Sequence, residues 1–346
     1  MEKTKILLVS DGGVTPDLMQ KLFELEQYGA EVTMVEDMDV HSIDLITDRM
    51  HLLECEGIQA APTFRPLLDV CQDKDIICVH ITSINREVID ACRNLKVVAC
   101  MRGGIENVDL PALTERGIKC INSPWRSAHA VADFTVGMMI AESKNIARSH
   151  KAIFEGKWRK VYTNQTYIHD MRTRTAGVIG CGHIGSRVIE RLVPFGCRIL
   201  VYDPFKSLEE VKRLGYDAVT LEELLRESDF VTLHLRYSEK TDKFFGSKEF
   251  AQMKPTAYFI NIARAGIVDT DALLHALETK SIGGAAIDVF DVEPLPSDSP
   301  FLKLDNVTLT AHLAGTSSDT MRNSVEIAFD DLKNYLQGKP MLNVCN

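Results

Sequence analysis

Three polar residues in the second half of the chain each follow an apolar run: Arg264 after YFINIA, Glu293 just past AAIDVF, and His312 after VTLTA. Such runs read as buried strands, and in an open parallel sheet the carboxyl ends of the strands line the ligand crevice. An arginine, a carboxylate and an imidazole gathered there suit hydride transfer at C2 of a 2-hydroxy or 2-keto acid. Histidine is the natural carrier of the proton that moves on the C2 oxygen near neutral pH. A paired carboxylate fixes the ring's tautomer and favours its protonated form. Arginine offers two parallel N–H donors to a carboxylate and polarises the carbonyl. Singly, each residue is ordinary: a strand-end arginine is usually solvated or ion-paired, a histidine usually structural, and an acid before Pro294 a turn residue. The combination carries the reading.

Hydride chemistry needs a dinucleotide, and the segment TAGVIGCGHIGSRVIERLVPFGCRILVYDP, residues 175–204, reads as its site. An apolar strand, Ala176 to Ile179, stops at Gly180, Gly182 and Gly185, spaced G-x-G-x-x-G. Gly180 permits a tight turn, Gly182 lets the pyrophosphate approach the backbone, and Gly185 lets helix and strand pack closely. The helix that follows, opened by His183 and Ile184, turns its free N–H groups and positive dipole end to the phosphates. A second strand, Arg198 to Tyr202, ends in Asp203, whose carboxylate can accept from the adenosine-ribose hydroxyls. It would repel the 2′-phosphate of NADP, and Pro204 and Phe205 supply no arginine to receive one, so NAD is expected. His234 and Ala263, at the ends of further strands, are added as cofactor-lining candidates.

The elements that must position these groups alternate short apolar runs with helical patterns, as in parallel sheets covered by helices. Strands are expected near Lys5–Ser10, Glu31–Val35, Ile76–Ile81, Val97–Cys100 and Ile118–Ile121, then near Ala176–Gly180, Arg198–Tyr202, Phe230–Leu235, Tyr258–Ile262, Ala285–Asp288 and Val307–Thr310. Two series imply two doubly wound α/β domains. Between them Ala128 to Lys151 reads as one long helix, suited to a core or to a domain or subunit interface. A last helix, with Val325, Ala328, Phe329, Leu332 and Leu336 at helical spacing, stops at Gly338-Lys339-Pro340.

The 346 residues suit about two domains. A 45% hydrophobic, 25% charged composition is that of a globular protein, and a net charge of −10 argues against nucleic-acid or anionic-membrane partners. The nine cysteines are odd in number and show no C-x-x-C spacing. They read as small buried hydrophobes in a reducing compartment, and no metal is expected. MEKTKILLVS lacks the apolar core of a signal peptide and no apolar stretch is long enough to span a bilayer, so a cytoplasmic location is expected.

The chain resembles the D-isomer-specific 2-hydroxyacid dehydrogenase family, which includes D-3-phosphoglycerate dehydrogenase, hydroxypyruvate and glyoxylate reductases, D-lactate dehydrogenase and formate dehydrogenase. The likeness runs through RGGIENVD (102–109), SPWRSAHAVADFT (123–135), GVIGCGHIG (177–185), SDFVTLHL (228–235), NIARAGIVD (261–269), AAIDVFDVEP (285–294) and LTAHLAGTS (309–317). It implies that Arg264 binds substrate and that Glu293 pairs with His312, the general acid/base. It also implies that Gly103 and Gly104 hold the substrate carboxylate through backbone N–H groups and that Asp288 contacts the nicotinamide. A flavodoxin-like substrate domain is implied from residues 1–106 and 314–346, with a Rossmann NAD-binding domain at 107–313 and the active site in the cleft, whose closure would exclude water. A homodimer through the nucleotide lobe is implied as well. With the sequence ending at Asn346, the C-terminal regulatory domain of many phosphoglycerate dehydrogenases is not expected.

Four positions depart from the common pattern: Arg236 and Ala311 stand for prolines, Ala314 for a glycine and Asp133 for a glutamate. A different class shares this fold, since C-terminal-binding corepressors use NAD occupancy to control assembly and keep a similar triad. Formate dehydrogenase is disfavoured because that subfamily carries glutamine where Glu293 stands. Arg102 and Arg126 suit either a second acidic group of the substrate or ion pairs at a domain boundary.

Overall fold

The computed structural model describes residues 3–346. They form two compact units, one reaching up to Ser127 and regained at Ser317–Asn346, the other Ala128–Thr316. The first holds β1 (Thr4–Ser10), β2 (Ala30–Glu36), β3 (Ile76–Val79), β4 (Val97–Cys100) and β5 (Lys119–Asn122), ordered β2-β1-β3-β4-β5 with every named pair parallel. Alternate residues of one strand enter different cores: Ile6 and Leu8 pack with one cluster, Leu7 and Val9 with the other. A strand buried on both faces needs apolar residues at every position, which is why these runs are continuous. The C-terminal helix, Ser318–Leu336, buries Val325, Ala328, Phe329 and Leu332 in the cluster of Ile6 and Leu8.

The boundary lies at Ser127/Ala128, not at 106/107. Residues 107–127 are tied into the first sheet: Asn107 Nδ2 donates to the carbonyls of His80 (3.1 Å) and Thr82 (3.0 Å), and β5 pairs with β4 along its length. The return point, Ser317, falls close to the expected 314. No proline- or glycine-rich linker marks the change of unit, so composition does not reveal it.

The second unit holds β6 (Thr175–Ile179), β7 (Arg198–Tyr202), β8 (Phe230–Leu233), β9 (Tyr258–Asn261), β10 (Gly284–Ile287) and β11 (Val307–Leu309), ordered β11-β10-β9-β8-β6-β7 and parallel throughout. A single bridge from Val201 to Ala218 extends the β7 edge. All eleven expected strands are present. Phe259 faces one core and Tyr258 and Ile260 the other, again a sheet covered on both sides.

The single helix expected over Ala128 to Lys151 is two, Ala128–Ser143 and Ile146–Phe154, broken at Asn145 in the left-handed region (φ 59°). Asparagine tolerates that conformation, and a buried network secures it. Arg148 donates to both carboxylate oxygens of Glu142 (3.0 and 2.9 Å), to the Glu142 carbonyl (2.7 Å) and to Asn145 Oδ1 (2.9 and 2.7 Å). Asn145 Nδ2 donates in turn to Asn164 Oδ1 (2.8 Å). The apolar face of the first helix, Val131, Ala132, Val136 and Met139, is consumed in its own unit's core.

The nine cysteines are free thiols, six of them buried. Burial pushes the Cys78 thiol up to about 12 and, against the opposing charges of Arg102 and Arg126, the Cys100 thiol up to about 11. Among the described residues no helix is long and apolar enough to cross a membrane.

Candidate active site

Because the strands of the second unit run parallel, every residue just past a strand end lies on one edge of its sheet. That edge gathers the glycine loop after β6, Asp203 after β7, His234 after β8, Ala263 and Arg264 after β9, Asp288 after β10 and His312 after β11. β6 lies between β7 and β8, where the direction of winding reverses, the place at which such sheets take ligands.

The three glycines do different work. Gly180 has φ +93°, and a Cβ there would stand 2.7 Å from the His234 carbonyl. A Cβ on Gly185 would collide with the carbonyl of Gly180. At Gly182 a Cβ would meet nothing within 4 Å, so the fold itself does not require a glycine there. That open space adjoins the start of the helix His183–Leu192, which has no side-chain cap at Gly182. An uncapped helix start beside a bare glycine backbone fits a pyrophosphate. Ile184 lies in this first turn and packs on the adjoining core.

Asp203 is buried and bonded within the chain. Oδ2 accepts from Cys181 N–H (3.0 Å) and Lys206 Nζ (2.9 Å), and Oδ1 accepts from Phe205 N–H (2.9 Å). Burial works against its charge, but the Cys181 N–H, Lys206 and the Phe205 N–H outweigh it and hold the carboxyl below its ordinary value. The acid therefore also fastens the glycine loop to the end of β7. Lys206 was not among the expected residues, since its pairing three positions on from Asp203 depends on the turn. Burial pushes His234 down to about 3, so its ring is neutral, and Thr232 Oγ1 lies 3.0 Å from Nε2.

On the other half of this edge, His312 Nδ1 lies 2.8 Å from Glu293 Oε2, and Glu293 Oε1 accepts from Phe290 N–H at 2.9 Å. The bond engages Nδ1 and leaves Nε2 for another partner. Burial raises the Glu293 carboxyl, but the bond from His312, the Phe290 N–H and the charges of His312 and Arg264 bring it below its ordinary value. His312 itself has φ 54°, unusual for a residue with a Cβ. The turn holding it there is anchored by fully buried Asp288: Oδ1 accepts from Thr310 Oγ1 (2.6 Å) and Leu313 N–H (2.9 Å), Oδ2 from Ala314 N–H (2.9 Å). This positioning role of Asp288 is one the sequence did not show.

Arg264 is held by its backbone: Asn261 Nδ2 donates to the Arg264 carbonyl (3.1 Å), Asn261 Oδ1 accepts from Ala263 N–H (3.1 Å), and Arg264 Nη1 donates to the Ala263 carbonyl (2.7 Å). Of the unusual positions, Asp133 pairs with Arg191, Ala314 is buried and donates its N–H to Asp288, and Arg236 is exposed, its carbonyl accepting from Thr241 Oγ1 (2.8 Å). A separate recess of about 280 Å³, lined by Leu273, Leu274, Phe290, Leu295 and Phe301, includes none of the glycines, Asp203 or His312. In the first unit, Gly103 and Gly104 lie in the turn after β4, where Asn122 Nδ2 donates to the Gly103 carbonyl (2.7 Å).

A parallel sheet with a glycine loop at its switch point, an uncapped helix start and a buried acid after the next strand defines a dinucleotide-binding domain. A family model described as "D-isomer specific 2-hydroxyacid dehydrogenase, NAD binding domain" matches residues 136–314. A glyoxylate reductase from Korarchaeum cryptofilum is 35% identical over 290 residues, covering 83% of this chain and 87% of its own. A D-3-phosphoglycerate dehydrogenase from Methanocaldococcus jannaschii is 35% identical over 313 residues, 87% of this chain and 59% of that longer protein. The NAD-complexed structure of a D-isomer specific 2-hydroxyacid dehydrogenase from Lactobacillus delbrueckii ssp. bulgaricus matches in fold with a TM-score of 0.76, at 21% identity over 99% of this chain and 100% of that one. The chain belongs to the D-isomer-specific 2-hydroxyacid dehydrogenase family. It is an oxidoreductase, and its cofactor is NAD.

Proposed function

We propose that the protein transfers a hydride between NAD(H) and C2 of a small D-2-hydroxy or 2-keto acid, with His312 as general acid/base, Glu293 as its support and Arg264 as substrate ligand. The observation that carries this reading is the 2.8 Å His312–Glu293 pair on a strained turn anchored by Asp288. Glycines 180, 182 and 185, with His183, Ile184, Asp203, His234 and Ala263, would hold the cofactor, which supplies the hydride when bound. Asp288, buried and bonded to Thr310, Leu313 and Ala314, would instead act by positioning the His312 turn. In the reducing direction His312 gives the proton from Nε2 to the C2 oxygen as the carbonyl becomes an alcohol. Glu293, accepting at Nδ1, stabilises the charged ring before that transfer. Arg264 orients the acid and draws charge onto the carbonyl oxygen. Gly103 and Gly104 N–H groups take the C1 carboxylate.

The test is NADH oxidation with hydroxypyruvate, glyoxylate, pyruvate, 2-ketoglutarate and 3-phosphohydroxypyruvate. Turnover with at least one supports the reading. Tight NADH binding with no turnover on any would replace it with the NAD-sensing, corepressor-like one.

NAD is preferred over NADP because a 2′-phosphate would be buried against the Asp203 charge. Asp203→Ala weakens NAD binding and narrows the preference from both sides, since it removes the repelling carboxylate and frees Lys206, now 2.9 Å away, to meet a phosphate. Fluorescence titration with NADH and NADPH reads this directly; equal affinities in the unaltered protein would refute it.

The unit also pairs with a second copy. The helix Ile146–Phe154 and the segment after it expose Ile146, Ile153, Phe154, Trp158 and Val161, with Phe154 80% and Trp158 79% accessible. Side chains of that size are seldom left together in water on a monomer, and a symmetric dimer would cover them. Light scattering at micromolar concentration should give twice the chain mass, and Trp158→Glu should lower it; a monomeric mass in the unaltered protein would end this proposal.

A further inference from the structure

The first unit has a charged edge of its own. Asp11 follows β1, His80 follows β3, Arg102 lies two residues past β4 and Arg126 four past β5, so parallel strands deliver all four to one side of the sheet. β1 and β3 are neighbours at this sheet's own point of reversal. There Asp11, buried, accepts from Gly13 and Val14 N–H (2.8 Å each) and Ile81 N–H (3.1 Å), and both its oxygens lie 3.1 Å from His80 Nδ1. That carboxylate is saturated. His80 Nε2 then lies 3.3 Å from Arg126 Nη1 and, since a guanidinium only donates, acts as acceptor.

Arg126 is the exception in this well-bonded neighbourhood. Its remaining contacts are to the Met101 carbonyl (3.3 Å), Met321 Sδ (3.4 Å) and Ser324 Oγ (3.3 Å), all at Nη1 and all long. No carboxylate among the described residues lies within ion-pair distance of it. Among the described residues Nε and Nη2 have no hydrogen-bond partner, and the residue as a whole is only partly buried. Beside it stands a second guanidinium, that of buried Arg102, with a 3.4 Å ion pair to half-exposed Glu106 and a 3.4 Å contact to Asn107 Oδ1. Burial first, and then the like charge of Arg102, push Arg126 below its ordinary value. An arginine serving only as a strut looks different: Arg148 in the second unit makes five bonds of 2.7 to 3.0 Å to Glu142 and Asn145. Two neighbouring guanidiniums, one with a single long ion pair and the other with no carboxylate partner among the described residues, form a site lacking an anion.

We infer that Arg126, with Arg102 beside it, receives a second oxyanion of the substrate, so that the acid this protein takes carries a further carboxylate or phosphate besides its C1 carboxylate. The inference rests on the proposed reaction and on Gly103 and Gly104 as the C1-carboxylate holder, since Arg102 immediately precedes that loop. A compact oxyanion matches the forked donors left open on Arg126. His80, fixed by Asp11, supports the guanidinium without neutralising it.

The experiment compares kcat/KM in matched pairs of keto acids with NADH: 2-oxobutyrate against 2-oxoglutarate for a second carboxylate, and hydroxypyruvate against 3-phosphohydroxypyruvate for a phosphate. At least one doubly charged member should exceed its partner about tenfold or more, and the pair that does so identifies the oxyanion. Arg126→Gln should cut kcat/KM for that member by about 10- to 100-fold, mainly through KM, and bring the pair's ratio towards one. Arg126→Lys should retain part of the selectivity. Should the glutamine variant not fold, the unaltered protein decides: malonate or phosphate should inhibit reduction competitively with the keto acid at concentrations where acetate does not. Singly charged acids reduced as well as both doubly charged ones, or an Arg126→Gln effect equal on both members of a pair, would overturn the inference alone. No NADH oxidation with any of the four acids would overturn the proposed reaction, and this inference with it.

Discussion

His312→Ala reduces the preferred keto acid about 100- to 10,000-fold more slowly than the unaltered protein, the usual cost of losing a general acid, while NADH binds as before. The groups proposed to hold the cofactor lie elsewhere on the sheet edge, on the glycine loop and Asp203, so the two measurements separate. Glu293→Gln is gentler. It can keep the 2.8 Å contact to Nδ1 but removes the charge that favours a protonated ring, so the alkaline decline of reduction moves to lower pH. On the acid side the sign is opposite. The Glu293 carboxyl is held below its ordinary 4.5, so it is ionised above that value and loses its charge only as pH falls through the lower folded one. Reduction in the unaltered protein should therefore persist to the bottom of the carboxylate range. A pH–rate profile for the three proteins checks all of this, and near-normal reduction by His312→Ala would remove the catalytic assignment.

Gly185→Ala and Gly182→Ala part company in stability. The Cβ added at 185 runs into the backbone carbonyl of Gly180, which no rotamer change can relieve. Overpacking of that kind costs about 3 kcal/mol or more, equivalent to a fall in Tm of roughly 6–12 °C for a unit of this size. NADH affinity should fall with it, because the displaced helix start is the proposed phosphate site. The Cβ added at 182 meets no protein atom and the backbone there is extended, so Tm should hold within a degree or two. It does project where a pyrophosphate must approach, and NADH affinity should still drop about tenfold or more. Thermal melting with and without NADH distinguishes the two; an unchanged affinity in Gly182→Ala would show that the pyrophosphate lies elsewhere.

What was legible in the sequence was whatever local chemistry dictates. Most strands are buried on both faces and therefore apolar throughout, and the edge strands keep an apolar run, so all eleven could be found, and the strand-end location of Arg264, His312 and Asp203 followed from them. What was not legible depends on partners distant in the chain. Asn145 interrupts a helix that periodicity would continue, because Arg148 reaches back to Glu142 and Asn145 and satisfies the broken end. Residues 107–127 belong with the first sheet through bonds from Asn107 and β5, which leave no mark in composition. Asp288 could be noticed as an acid after a strand, but its hold on Leu313 and Ala314 requires knowing how the chain turns at His312.

That turn sets folding against activity at a single residue. A left-handed backbone costs a side chain bearing a Cβ of order 1 kcal/mol, and glycine nothing of the kind. His312→Gly would relieve this strain while discarding the proposed proton carrier, and the Glu293 contact it loses is half-exposed and worth little. Selection of random variants for heat resistance alone would thus drift towards glycine here, enriching for well-folded protein that binds NADH and turns nothing over.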